Sequence, residues 1–309
     1  MTSGPTKTSI VFFGTEDFSL ASLEALVEHG FTVAAVVTKP DSPQGRGHKL
    51  TPPKVKRYAQ AHGIPVWQPA KLADIAHDIA SLDRPAGVLV SYGKIIPQSI
   101  IDLFTPGIIN LHPSLLPAYR GPSPIESAIL HGDAMTGISI MQLSAEMDAG
   151  PVYRQVSHQL ADTETAPELY DTLGAIGVKE LVRTLPHILD GTLQPAPQDS
   201  ERATYCSLIS KADGIIDWQL PAAVIERQIR AYTSWPGSRT TLSGVEVIVA
   251  RASAVHMDDT ATPGEVIATK AQLFVGTGQD WLEIHRLKPV GKKEMPVKAF
   301  LSGYSVVSP

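Results

Sequence analysis

The chain has 309 residues, of which 43% are hydrophobic and 18% charged, and its formal net charge is −5. This length favours two domains over one, and the apolar fraction is too high for a disordered chain. Cys206 is the single cysteine, which excludes an intrachain disulfide and a cysteine-based zinc site. No stretch reaches the ~20 apolar residues of a membrane span, and the first apolar run is too short for a signal peptide. We therefore expect a cytoplasmic protein without a membrane partner.

The first 150 residues alternate short apolar segments with amphipathic ones. Strands are predicted over 9–14, 31–38, 64–68, 87–93, 107–112 and 136–143, and helices over 18–29, 55–63 and about 167–189. Gly63 is a typical stop for the second helix. Strands rich in β-branched residues that alternate with helices indicate a Rossmann-like α/β domain with a mostly parallel sheet. Ligands bind such sheets at the carboxyl ends of the strands.

The composition changes after residue 190. Residues 190–205 are polar and contain prolines, which predicts a linker, and a helix is predicted over 221–232. Short strand-like segments separated by turns follow, and their spacing predicts a small OB-like β-barrel. We expect a Rossmann-like domain over 1–190, a linker over 191–207 and a barrel domain over 208–309.

The segment NLHPSLLPAYRGPSPI, residues 110–125, carries the first candidate functional side chains. Alternation along a strand places Asn110 and His112 on one face and Leu111 on the other. The amide and the imidazole can both donate to one oxygen atom, which suits an oxyanion formed in acyl transfer. A polar pair at a strand end is more often a structural cap, so the pair alone does not establish catalysis.

Asp148 strengthens the catalytic interpretation. It lies in the loop SAEMDAGPVY, which follows the predicted strand 136–143, and we expect this loop at the carboxyl edge of the sheet. A carboxylate beside an imidazole orients the ring and favours its charged form. Glu146 is the competing carboxylate in the same loop, and the residues alone barely separate the two.

Residues 110–125 resemble the signature of enzymes that use 10-formyltetrahydrofolate, and Asp148-Ala149-Gly150 resembles their downstream D-x-G segment. FFGTEDF, SYGKIIP and HGDAMTGISIMQL extend the resemblance over the first domain. It implies formyl transfer to an amine by Asn110, His112 and Asp148, without a metal or a covalent enzyme intermediate. It also implies a cleft for the folate cosubstrate, lined by Ser91, Tyr92, Gly93, Ser114, Leu115, Leu116 and Pro117.

The basic segment KPDSPQGRGHKLTPPKVKR, residues 39–57, bears on which amine is formylated. Gly45 and Gly47 flank Arg46 and give a mobile loop, and a basic loop suits the phosphates of a nucleic acid. The segment resembles the loop of methionyl-tRNA formyltransferases that enters the acceptor stem, and 210–218, 229–238 and 287–303 resemble the C-terminal domain of those enzymes. The resemblance implies a monomer with initiator methionyl-tRNA as partner. The implied tRNA contacts are Arg46, Lys49, Lys54, Lys292 and Lys293.

Two alternatives remain open. A sugar-nucleotide N-formyltransferase shares the catalytic residues but is disfavoured by the basic segment 39–57. An RNA-binding protein that kept the fold and lost the chemistry is disfavoured because Asn110, His112 and Asp148 are all present. A dinucleotide site after the first strand is rejected, because the turn at Gly14 lacks the further glycines that admit a pyrophosphate.

Overall fold

The computed structural model describes residues 8–44, 49–258 and 262–305. They form two compact units, and neither is one continuous stretch of chain. The first unit contains residues up to 124, 136–158 and 170–206, and the second contains 125–135, 159–169 and the residues from 207 onwards. The predicted domain boundaries at residues 190 and 208 stay a prediction.

The sheet of the first unit has seven strands in the order β5-β2-β1-β6-β7-β8-β9. Strands β1, β2, β5, β6 and β7 pair in parallel, whereas β7 and β8 pair antiparallel. The predicted Rossmann-like, mostly parallel sheet is therefore confirmed. Up to residue 206 the strands are β1 (Ile10–Gly14), β2 (Val33–Val37), β3 (Ser42–Gln44), β4 (Lys49–Thr51), β5 (Val66–Trp67), β6 (Ala86–Val90), β7 (Ile108–His112), β8 (Met135–Gln142) and β9 (Val152–Gln159).

Helices occupy the connections between these strands. They are α1 (Asp17–Glu28), α2 (Lys54–Ala61), α3 (Ala76–Ala80), α4 (Gln98–Ile101), α5 (Pro124–His131) and α6 (Ala166–Leu189). Helix α1 buries Leu23 and Leu26. Helix α2 ends two residues before Gly63, whose φ of 68° is a left-handed conformation that glycine adopts without strain. The predicted stop at Gly63 is confirmed.

Strands β1 and β7 are buried along their whole lengths. This explains the continuous apolar sequence of β1 and the apolar residues of β7, because helices cover both faces of such a sheet. One apolar cluster of this unit includes Val11 and Phe13 of β1 and Ile108 of β7. Strand β9 has no sequence prediction, since it lies at the end of the strand order and half of its side chains are exposed.

The second unit contains a curled antiparallel sheet, which confirms the predicted small OB-like barrel in the form of a half-barrel. Its strand order is β10-β11-β14-β13-β12, with β15 paired to β14. Helices α7 and α8 contribute Ile225, Ile229 and Phe300 to its buried apolar core. The elements are α7 (Ala222–Ala231), β10 (Ser238–Leu242), β11 (Val245–Val255), β12 (Val266–Ala268), β13 (Leu273–Gly276), β14 (Trp281–Pro289), β15 (Met295–Pro296) and α8 (Val297–Gly303).

Within the described ranges, no helix combines the length and the apolar content that crossing a bilayer requires.

Candidate active site

The Asn110 and His112 side chains both leave β7 near its carboxyl end. Each residue is only 5% exposed. Leu111 packs on the opposite face against Gly177 of α6, as the alternation of a strand requires. The side-chain amide of Asn110 forms no hydrogen bond with any residue in the described part of the chain. A buried amide in this condition is a donor ready for a ligand oxygen.

The ring of His112 has two different neighbours. Nε2 lies 3.0 Å from the carbonyl oxygen of Tyr119, and Nδ1 lies 3.8 Å from Oδ2 of Asp148. A carbonyl oxygen can only accept, so Nε2 must carry a hydrogen. In the neutral ring Nδ1 then carries none. Nδ1 is therefore the nitrogen that can take up a proton.

Asp148 reaches His112 by a route different from the expected one. The expectation that its loop lies at the carboxyl edge of the sheet is wrong for the strand that precedes it, because β8 runs antiparallel to β7. The end of β8 at Gln142 pairs with Ile109, whereas His112 pairs with Ser139. The loop returns towards His112, and Gly150 allows this because a Cβ there would lie 1.9 Å from the oxygen of Gln142.

The geometry separates the two candidate carboxylates. Oδ2 of Asp148 accepts a hydrogen bond of 2.8 Å from the amide of Gly121, and its side chain is 16% exposed. Glu146 is exposed, and within the described ranges the hydrogen bonds it accepts go to its backbone carbonyl, from Ser144 and Ala149. Asp148 is therefore the carboxylate that faces the imidazole.

The Ser91-Tyr92-Gly93 turn follows β6 at the same edge as the end of β7. The carbonyl of Ser91 accepts from the amides of Thr15 and Glu16 at 3.1 and 3.3 Å. The carbonyl of Tyr92 accepts from the hydroxyl of Thr15 at 3.2 Å. These bonds tie the turn that follows β6 to the turn that follows β1.

The side chain of Tyr92 points into the core. It is 1% exposed and packs edge to face on Phe13, with ring centroids 5.6 Å apart. Burial raises the pKa of its hydroxyl, which stays neutral, and the hydroxyl oxygen has no hydrogen-bond partner among the described residues. Any contribution of Tyr92 to a folate site therefore comes from its backbone.

The loop over Ser114–Pro117 is fixed by a buried polar network. Ser139 is fully buried, donates to the carbonyl of Ser114 and accepts from the amide of Leu116. Gln155 donates to Ser139 at 2.9 Å and to the carbonyl of Leu116 at 2.7 Å. Ser114 and Leu116 are buried, and Leu115 and Pro117 are half-buried. Ser139 and Gln155 could not be found from the sequence, because neither lies in the signature segment.

Three loops around the candidate site each hold a non-glycine residue in the left-handed region. The φ angles are 47° at Ser91, 56° at Tyr119 and 48° at Asp148. Such residues persist where their surroundings determine the conformation, and they concentrate at functional sites. The combination supports an active site here.

The basic residues predicted to contact tRNA belong to both units. Arg46 lies outside the described residues, and for Lys49 the structure gives the strand position in β4. Lys54 is exposed and its Nζ lies 2.6 Å from Oδ2 of Asp17. In the second unit, Lys292 and Lys293 are both exposed in the turn between β14 and β15.

Within the ranges that the structure describes, no cluster of three His, Cys, Asp or Glu side chains is placed to hold a metal ion.

Two known family models match the chain. A formyl transferase model matches residues 7–185, and the model of the formyl transferase C-terminal domain matches residues 208–305. The chain therefore belongs to the formyl transferase family.

Curated relatives match along nearly the whole chain. Methionyl-tRNA formyltransferase of Chloroflexus aurantiacus is 42% identical over 298 residues, which cover 95% of this chain and 96% of the relative. Methionyl-tRNA formyltransferase of Agathobacter rectalis is 40% identical over 300 residues, which cover 96% of this chain and 97% of the relative.

Solved structures show the same fold at low identity. The N-formyltransferase of Helicobacter canadensis, in complex with folinic acid and dTDP-3-aminofucose, gives a TM-score of 0.70 at 16% identity, covering 93% of this chain and 100% of that one. HypX of Aquifex aeolicus, in complex with tetrahydrofolic acid, gives 0.65 at 19% identity, covering 96% of this chain and 47% of that one.

Proposed function

We propose that the chain transfers the formyl group of 10-formyltetrahydrofolate to the amino group of methionine on charged initiator tRNA, for translation initiation in the cytoplasm. The family and the names of relatives that are 40–42% identical over the chain support the acceptor. The meeting of Asn110, His112 and Asp148 at one edge of the sheet carries the chemistry. We propose further that the chain acts as a monomer and without a metal.

Asn110 would stabilise the oxyanion. When the amine nitrogen attacks the formyl carbon, the carbonyl oxygen becomes negatively charged in the tetrahedral intermediate. The side-chain amide of Asn110 is buried and makes no hydrogen bond within the described residues. It can therefore donate to that oxygen without breaking another bond. A donor fixed in advance lowers the barrier more than one that must be reorganised.

His112 would manage the proton. The neutral ring, held by the Tyr119 carbonyl, can take the proton of the attacking amine on Nδ1. The imidazolium then carries an Nδ1–H that can donate to the oxyanion beside Asn110. When the intermediate collapses, the bond from the formyl carbon to N10 breaks and the proton passes to N10, which releases tetrahydrofolate.

Asp148 would stabilise the charged ring. Its Oδ2 lies 3.8 Å from Nδ1, beyond a direct hydrogen bond, and is held there by the amide of Gly121. In the proposed mechanism this carboxylate is the negative charge that faces Nδ1 once the ring has taken up the proton.

Fixed polar backbone near the reacting atoms suits a folate. The Ser91-Tyr92-Gly93 turn and the Ser114–Pro117 loop flank the end of β7, and hydrogen bonds hold both in place. We propose that they line the folate cleft, with Tyr92 contributing its backbone because its side chain is in the core. The cosubstrate would supply the formyl carbon.

The proposed tRNA contacts are Arg46, Lys49 and Lys54 in the first half of the chain and Lys292 and Lys293 in the second. Support comes from the basic content of residues 39–57 and from the exposure of Lys54, Lys292 and Lys293. Positive side chains suit phosphate contacts, which fix the register of a nucleic acid on a protein.

An acceptor comparison tests the proposed function. Purified protein with 10-formyltetrahydrofolate would be offered charged initiator methionyl-tRNA, charged elongator methionyl-tRNA and an amino-sugar nucleotide. Turnover confined to the initiator tRNA is the expected result. Turnover on the amino sugar alone would keep the formyl chemistry and overturn the acceptor. Tight tRNA binding without any turnover would identify a binding protein that has lost the chemistry.

A further inference from the structure

Residues 196–206 join the two loops that complete the candidate active site. Ala196 pairs with Val152 beside the Asp148 loop, through backbone bonds of 2.7 and 2.9 Å. At the other end, Arg120 donates its amide to the carbonyl of Thr204 and accepts from the amide of Cys206, both at 2.9 Å. Residues at both ends of 196–206, within the segment predicted as a linker, therefore contact the loops of the site.

Gln198 is at the centre of this connection. Its Nε2 donates to the carbonyl oxygens of Asp148 and Gly150, both at 2.7 Å. Its Oε1 accepts from Nε and Nη2 of Arg120 at 3.1 and 2.8 Å. One amide thus binds the Asp148 loop with its donor end and the Arg120 loop with its acceptor end.

Arg120, which binds the acceptor end of Gln198, is itself buried and hydrogen-bonded. It is 2% exposed, and its Nη1 donates to the hydroxyl of Tyr205 at 3.1 Å. A buried guanidinium is costly unless its hydrogens are bonded, so removing the Gln198 oxygen would disturb the loop. The residues on either side of Arg120 touch the site directly: the Tyr119 carbonyl faces His112, and the Gly121 amide holds Asp148.

The geometry points to Gln198 and Arg120 as positioning residues that set the distance between Nδ1 of His112 and the carboxylate of Asp148. The inference rests on the proposed formyl transfer. Asp148 and Tyr119 are both in the left-handed region, which their surroundings must maintain. Gln198 bonds the carbonyl of Asp148, and Thr204 bonds the amide of Tyr119 through its hydroxyl at 2.8 Å. Residues 196–206 thus hold both strained residues.

Substitutions of Gln198 test its hydrogen-bond donor and its hydrogen-bond acceptor separately. Gln198→Glu keeps oxygen acceptors for Arg120 but has no hydrogen to donate to the carbonyls of Asp148 and Gly150. We expect kcat to fall roughly 10- to 100-fold in Gln198→Ala and in Gln198→Glu, because a misplacement of about 1 Å can cost 10²-fold. KM for both substrates should stay within about twofold, and Gln198→Glu should melt close to the wild type.

Gln194→Ala is the matched control. Gln194 is exposed, and its side chain donates to the carbonyl of Gly191 at 2.9 Å, away from the site. This variant should keep wild-type kcat. Wild-type kcat in Gln198→Glu would overturn the positioning role, and so would a fall in kcat of equal size in Gln194→Ala.

A double-mutant comparison distinguishes positioning from general structural support. Single-turnover rates would be measured for Gln198→Ala in the wild-type and Asp148→Ala backgrounds. A residue that acts through Asp148 should have little further effect once Asp148 is gone. An undiminished effect in the Asp148→Ala background would overturn the inference. An inactive wild-type chain would instead overturn the proposed function, which makes the two failures distinguishable.

Discussion

The proposed role of the Asn110 side chain can be tested by two substitutions that change its shape and its hydrogen bonding separately. Asn110→Ala should lower kcat about 10²–10³-fold, the cost of losing one oxyanion donor, with KM for tRNA nearly unchanged. Asn110→Asp has almost the same shape but only accepts hydrogen bonds, so it should be at least as inactive. Steady-state kinetics on both variants test this. Near-normal turnover in either one would remove Asn110 from the mechanism.

At the residue scale, the sequence predicted which side chains of the site come together but not what holds them. Asn110 and His112 follow from strand alternation, and Asp148 follows from a resemblance to a D-x-G segment. His112 contacts the carbonyl of Tyr119, and Asp148 contacts the backbone amide of Gly121 and the side-chain amide of Gln198. Each of these contacts involves a backbone group on at least one side, and backbone groups leave no pattern in residue type.

At the element scale, the position of strand β8 was predicted from the sequence, but its direction was not. Its apolar sequence predicted the strand over 136–143, and the structure has it at Met135–Gln142. Its direction could not be predicted, because an apolar run looks the same in a parallel and an antiparallel pair. The connection between β7 and β8 covers residues 113–134 and includes α5, which would equally suit a parallel crossover, yet the two strands pair antiparallel.

The hairpin of β3 and β4 brackets residues 45–48, which include Arg46. Arg46→Ala should lower kcat/KM for initiator tRNA and leave KM for the folate unchanged, because phosphate contacts position the acceptor only. Arg84→Gln removes an exposed charge elsewhere and serves as the control. Steady-state kinetics with the tRNA and the folate varied in turn measure both effects. A raised folate KM with unaltered tRNA kinetics would show that the loop serves the folate.

Asp41, which precedes β3, is part of a charged network. Gln68 and Lys56 hydrogen-bond the carboxylate of Asp41 at 2.8 to 2.9 Å. Gln68 and then Lys56 lower the pKa of Asp41 below its ordinary value. A carboxyl whose folded pKa is lowered stabilises the fold above the unfolded pKa of about 3.9, and this contribution is lost as the pH falls through the folded pKa.

Asp41→Asn should therefore be less stable than the wild type at neutral pH, and the difference should shrink below a pH of about 4. Denaturant unfolding of both proteins at about pH 7 and at successively lower pH measures the difference. A stability gap that stays constant down to a pH of about 2 would contradict a lowered pKa at Asp41.

At the scale of the whole molecule, the two units would both contribute to tRNA binding. The net charge of −5 gives no general attraction to nucleic acid, so local basic residues must supply it. Replacing Lys292 and Lys293 with alanine should weaken tRNA binding. The slope of log affinity against log salt should also fall, by about 1 for each phosphate that the variant no longer neutralises.

Lys270→Ala is the control for that experiment, because Lys270 is an exposed lysine between β12 and β13 of the same sheet. Binding would be measured by titration at several salt concentrations. An equal reduction of slope in Lys270→Ala would show that net charge matters and that the turn after β14 has no special role. An unchanged slope in the Lys292 and Lys293 variant would remove that turn from the interface.

The most direct test of the proposed catalytic site measures tRNA binding and formyl transfer together in His112→Ala. Nδ1 of His112 is the one proton acceptor proposed for the reaction, and its loss should lower single-turnover transfer about 10²–10³-fold. Binding of charged initiator tRNA should stay within about twofold of the wild type. Transfer at the wild-type rate, with binding intact, would contradict the proposed catalytic site.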